Sequence, residues 1–137
     1  MTKTLTIGIL NYEDFKARTL RIARGELKPG SKDPKVWFPS LESLAKVLSE
    51  PNRELLAMIE GRKPQSLKEL SDISGRATSN LSRTLKTMEK YGLVELRARS
   101  GRRVAPRVPY SHFKLEMPLA PDARGAGGAG RKVIHAD

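Results

Sequence analysis

Cysteine is absent from the 137-residue chain, which excludes disulfides, thiolate metal sites and a cysteine nucleophile. Histidine is nearly absent too. His112 falls in an expected β segment and His135 close to the last residue, and neither has a spaced set of ligands or a nucleophile beside it. Glu42, Glu50 and Glu54 fit a solvated helix surface better than a catalytic pair. The glycine-rich GAGGAG at residues 125–130 follows no strand and opens no helix, so it is not a phosphate cradle. The expectation is therefore no catalytic residue, no metal, no cofactor and no enzyme. Aromatics are scarce as well: one Trp, three Tyr and three Phe form no stacking platform in sequence, which weighs against an RNA partner. No apolar run approaches the roughly 18 residues that a bilayer span requires, and MTKTLTIGIL lacks the core of a signal peptide. A cytoplasmic, nucleoid-associated protein with no membrane partner is expected.

What the chain has in excess is positive charge. Lys and Arg number 26 against 15 Asp and Glu, for a formal charge of +11 and a pI near 10.3. Residues 1–60 hold 10 basic and 8 acidic side chains, whereas residues 61–137 hold 16 and 7. A surplus concentrated in this way implies a polyanionic partner for the second half.

Local patterns divide the chain further. TLTIGI at residues 4–9 alternates like a strand, and Asn11 with Asp14 resembles a capping box opening a helix that Gly25 ends. Two prolines and Gly30 mark a loop, after which Val36, Trp37 and Phe38 give a short apolar segment. Ser40 is a candidate cap for a helix through Leu48. Pro51 suits the first turn of another, which buries Leu55, Leu56 and Ile59 and is expected to stop near Gly61. Ser66 and Glu69 head a short helix with Leu67, Leu70 and Ile73 inward, ended by Gly75. A longer helix over Thr78 to Tyr91 buries Leu81, Leu85 and Met88, and Gly92 terminates it. From Leu93 the period becomes two, with turn chemistry at Ser100 and Gly101 and returning β structure interrupted by Pro106 and Pro109. From Pro118 no apolar periodicity survives.

A short capped helix, a turn, a longer amphipathic helix and a hairpin make a helix-turn-helix with a wing. The fold class expected is α+β, mainly α. Its parts are an N-terminal strand-helix extension over residues 1–39, a winged helix-turn-helix over 40–117 and a flexible tail over 118–137. With its apolar edge buried, the longer helix leaves Ser79, Asn80 and Arg83 near its start to face DNA bases. Arg suits guanine O6 and N7, Asn suits adenine N6 and N7, and Ser suits either. Backbone or minor-groove contacts fall to Ser66, Lys68, Arg76, Thr78, Ser82 and Lys86, and to Arg97, Arg99, Arg102 and Arg103 of the wing. Together with Arg107, these wing arginines form a cluster of five without an acidic residue among them, which a polyanion would neutralise.

On these residues the chain resembles small MarR-like winged helix-turn-helix transcriptional regulators of bacteria and archaea. The likeness covers about residues 4–117. It is carried by TLTIGI, FPSLESLAKVLSEPNRELL, the SLKEL helix, the Asn80 and Arg83 pair and the YGLVEL exit. It implies transcriptional regulation on double-stranded DNA as a homodimer. Antitoxin-like members of this group imply a toxin partner and autoregulation of the promoter. Where the family pattern favours aspartate and histidine, this chain has Ala77 and Ser82, which leaves the long helix with a weak cap. Dimerisation is assigned to residues 4–24, which the helix-turn-helix is not expected to need for its own packing.

Overall fold

Alternation of Leu5, Ile7 and Ile9 with smaller residues gives residues 4–9 a strand with two usable faces, and the protein uses both. The computed structural model describes residues 3–101 and 103–119; Arg102 and the tail from residue 120 onward lie outside the described residues. The elements run β1 (Thr4–Ile9), α1 (Tyr12–Ala23), β2 (Val36–Phe38), α2 (Leu41–Val47), α3 (Glu50–Arg62), α4 (Leu67–Ser74), α5 (Thr78–Lys90), β3 (Glu95–Ala98), β4 (Val104–Arg107) and β5 (His112–Glu116). This is the α+β, mainly helical arrangement expected.

The strands form a parallel sheet in the order β2-β1-β5 and a separate antiparallel ribbon of β3 and β4. In the parallel sheet Ile7 lies beside Val36 and Leu115, and Ile9 beside Phe38. Leu5, Ile7, Ile9, Val36 and Phe38 all enter one hydrophobic cluster with Leu44, Leu55, Ile59, Leu70, Leu81, Leu85, Met88 and Leu93. The expectation that the helix-turn-helix can pack without residues 4–24 is therefore corrected for the strand. Its three apolar side chains are core, buried in one cluster with residues of α3 and α5. Only α1 stands outside, with no buried residue.

α1 lies over the opposite face of the sheet. There Trp37 sits against Gly8, where an added Cβ would come within 2.4 Å of the indole, so only glycine permits the contact. Phe15 packs on the same indole with ring centroids 6.1 Å apart, and the Arg18 guanidinium lies 4.8 Å from its centroid while pairing with Asp33 at 3.3 Å.

Two boundaries differ from expectation. α3 passes through Gly61 and ends at Arg62, closed by Lys63 in the left-handed region (φ 48°), with Pro64 next. The apolar alternation after Pro109 does not extend the wing. It becomes β5, which pairs with β1 from Thr4 beside His112 to Gly8 beside Glu116. The whole winged helix-turn-helix is thus the crossover between two strands of one parallel sheet, consistent with the long connection that parallel pairing demands.

Candidate nucleic-acid interface

Helix α4 starts where Ser66 Oγ accepts the Glu69 N–H at 3.0 Å, and the Glu69 carboxylate in turn accepts the Gln65 N–H at 3.1 Å, one residue earlier than in a standard capping box. Gly75, at φ 78°, ends it. Two serines then shape the turn. Ser71 Oγ donates to the Arg76 carbonyl at 2.6 Å, and Ser74 Oγ accepts the Arg76 N–H at 3.2 Å. Leu70, Leu81, Leu85 and Met88 are all fully buried, so α4 and α5 lock on the edge read from the sequence. At its far end α5 is held by Tyr91, which stacks on Phe38 with centroids 4.1 Å apart and planes at 12°. The N-terminal sheet thereby braces the helix whose polar face is free.

On that face Ser79, Asn80, Arg83 and Lys86 are exposed, Thr78 is exposed at the first turn, and Ser82 lies half-buried at the margin. Ala77 is the N-cap and supplies no side-chain hydrogen bond, and no acidic residue occupies the first turn. The leading N–H groups of α5 and their partial positive charge are consequently left for an external acceptor.

Arg76 is placed differently from a phosphate-reaching arginine. Its guanidinium donates to the Pro51 carbonyl at 3.0 Å, to Asn52 Oδ1 at 3.2 Å and to Asn80 Oδ1 at 3.5 Å. It ties the start of α3 to the first turn of α5. Asn80 then keeps its carbonyl oxygen toward Arg76 and presents its amide N–H groups outward. Bidentate reading of adenine needs both ends of the amide, so the 3.5 Å contact must open for that mode. Ser66 is engaged as a cap, and Lys68 sits 3.8 Å from Asp72 on an exposed surface.

The wing also sorts its arginines. Arg97 is paired with Glu95 at 2.8 Å, a partner that lies just outside the acid-free run of the sequence. Arg107 donates to the carbonyls of Pro64 at 2.8 Å and Pro106 at 2.7 Å, which pins the base of the ribbon to the loop before α4. Arg99 and Arg103 are exposed near the Gly101 turn with their side chains unpaired among the described residues, and the Arg99 N–H bonds the Arg103 carbonyl at 2.9 Å. The bracing roles of Arg76 and Arg107 were not visible in the sequence, since their partners are 24 to 43 residues away.

Elsewhere, a groove of about 600 Å³ opens at the carboxyl ends of β1, β2 and β5, lined by Leu10, Arg18, Leu27, Trp37, Leu115 and Met117 among others. Among the described residues there is no cluster of metal-ligating side chains and no helix long and apolar enough to cross a membrane.

Comparison with solved structures finds a crystal structure of a predicted DNA-binding transcriptional regulator from E. coli. It is 24% identical, with a TM-score of 0.42, and the alignment covers 74% of this chain and 86% of that one. No curated protein matches the chain. The model of the HVO_A0114 family matches residues 47–115, half of the chain and the span from the end of α2 into β5, so the chain belongs to the HVO_A0114 family.

Proposed function

We propose that the protein is a sequence-specific, double-stranded DNA-binding transcriptional regulator of MarR-like type that acts in the cytoplasm as a homodimer. α5 enters the major groove and the β3-β4 wing meets the backbone or minor groove. The observation that carries this reading is the pairing of an exposed polar face on α5 with a wing tip whose Arg99 and Arg103 side chains are unpaired among the described residues. Ser79, Arg83 and Lys86 are exposed beside an uncapped helix start, and Arg99 and Arg103 crown the neighbouring ribbon. Ser79, Asn80 and Arg83 read bases, because the first turns of a recognition helix come closest to them. Thr78, Ser82 and Lys86 meet phosphate along with the wing tip. The chain carries out no catalysis in this reading.

The test is a gel shift on the DNA upstream of the protein's own reading frame, with random DNA of equal length as control and salt raised from about 50 to 200 mM. A shift that prefers the upstream DNA and weakens by orders of magnitude across that range is expected for six or more phosphate contacts. No shift at the lowest salt would falsify the reading. A neighbouring toxin-like frame whose product co-purifies with the chain would refine it to an autoregulating antitoxin.

A further inference from the structure

β5 is an edge strand with two unsatisfied features. Its inner edge pairs with β1, and no strand covers its outer edge among the described residues. The His112 N–H donates to the Lys3 carbonyl at 3.2 Å. By the period of two along a strand, Lys114 and Glu116 also turn their backbone groups toward β1. Phe113, Leu115 and Met117 turn theirs outward. Phe113 and Leu115 lie beside the core residues Leu5 and Ile7 of β1, yet Phe113, Leu115 and Met117 remain exposed at 37%, 46% and 47%. Bare backbone combined with an apolar stripe is the arrangement that proteins normally cover.

We infer that a second copy of this chain covers it: β5 pairs antiparallel with β5 of the other copy about a twofold axis at Leu115, joining two parallel sheets into one of six strands. Charge selects this register. Centred on Leu115, it sets Lys114 opposite Glu116 of the other copy and Glu116 opposite Lys114, giving two cross-strand ion pairs, while Phe113 faces Met117 and Leu115 faces itself. Centred on Lys114, it would set lysine against lysine. Across to β1 neither charge meets a charged residue, because Lys114 lies beside Thr6 and Glu116 beside Gly8. The outward backbone groups also fit, since the residues that exchange both hydrogen bonds in this register are Phe113, Leu115 and Met117. A twofold axis normal to the sheet leaves both winged helices on one side of it. The inference rests on the homodimer part of the proposed function and names its surface, and it is tested without DNA.

Light scattering on the full chain at about 100 μM should give twice the monomer mass of 15.2 kDa. Lys114→Glu sets like charges opposite each other at both symmetric sites and should weaken the dimer by roughly tenfold, as should Glu116→Lys. The double reversal should restore it. Because the chain lacks cysteine, Leu115→Cys should crosslink two copies under mild oxidation, the paired Cα atoms being about 5.5 Å apart. Lys114→Cys should crosslink far less. A monomer that binds DNA would overturn this inference and leave the DNA reading standing, and a crosslinked dimer that binds no DNA would do the reverse. A dimer indifferent to both charge reversals, or crosslinked better through position 114, also overturns it.

Discussion

Helices α1 and α5 are nearly equal in length, 12 and 13 residues, and are held in opposite ways. α1 has every local advantage. Asn11 Oδ1 accepts the Asp14 N–H at 2.8 Å, Glu13 and Asp14 occupy the first turn, and yet no residue of the helix is buried. α5 has no side-chain cap and no acid in its first turn, but buries Leu81, Leu85 and Met88 completely. Helices this short are marginal in water on their own, so each needs one of the two supports. The difference shows where each helix can be left bare. Held by its core edge, α5 can leave its N-terminus and polar face unsatisfied for a ligand, whereas α1 is satisfied locally and meets the sheet through Phe15 and Arg18 against Trp37.

The largest effect that separates them is a cavity. Leu85→Ala should cost about 2–5 kcal/mol in urea unfolding, because the site is enclosed by the shared core and cannot collapse freely. Phe15→Ala, on the flank of α1 and 37% exposed, should cost about 1–2 kcal/mol. Comparable losses would mean that α1 is as integral to the core as α5.

Next comes the functional face. Arg83→Ala should cost about 1–3 kcal/mol on the cognate site and relax sequence preference, while Arg99→Ala should weaken all DNA alike and lower the salt slope by about one. Quantitative gel shifts on cognate and random DNA separate the two. Equal losses on both for Arg83→Ala would move that residue from bases to backbone.

How far the sequence disclosed this depends on the range of the contact. The α5 edge, Leu70 of α4, the Ser40 and Ser66 caps and the turn at Gly101 are set by residues three or four apart, and they read correctly. Ile73, expected inward, stays half-buried outside the core cluster. The parallel pairing of β1 with β5 joins Thr4 to His112 across the whole winged helix, and no local period encodes it. The same applies to charge. Counting arginines found the basic wing, but whether Arg107 is free depends on the Pro64 carbonyl, which only the folded chain brings within 2.8 Å. Arg76 likewise looks from sequence like a phosphate ligand and is in fact a brace between α3 and α5. Cation counting therefore overstated the number of unpaired cations, because Arg76 and Arg107 spend their guanidinium groups inside the fold.

On the α1 side, removing the local support should be felt in proportion. Asn11→Ala deletes the cap and should destabilise by about 1 kcal/mol, within the 0.5–2 kcal/mol usual for such caps. Hydrogen exchange would show faster opening of the first turn of α1 with α5 unchanged. Global destabilisation that speeds exchange equally in both helices would contradict their separate support.

The converse substitution adds to α5 what α1 already has. Ala77 sits at φ −65° and ψ 146°, the extended geometry of a capping residue, so Ala77→Ser requires no backbone change. Its hydroxyl could accept one of the unpaired N–H groups of the first turn, and a gain of roughly 0.5–1 kcal/mol in unfolding free energy is expected. The same hydroxyl takes an N–H that is otherwise left for an external acceptor, so DNA affinity should fall by roughly twofold to tenfold. A gain in stability with affinity preserved would mean that α5 lacks a cap only because its packing makes one unnecessary. A stability gain accompanied by a marked loss of DNA binding would mean that the bare N–H groups are themselves contacts, and that the missing cap is part of the site.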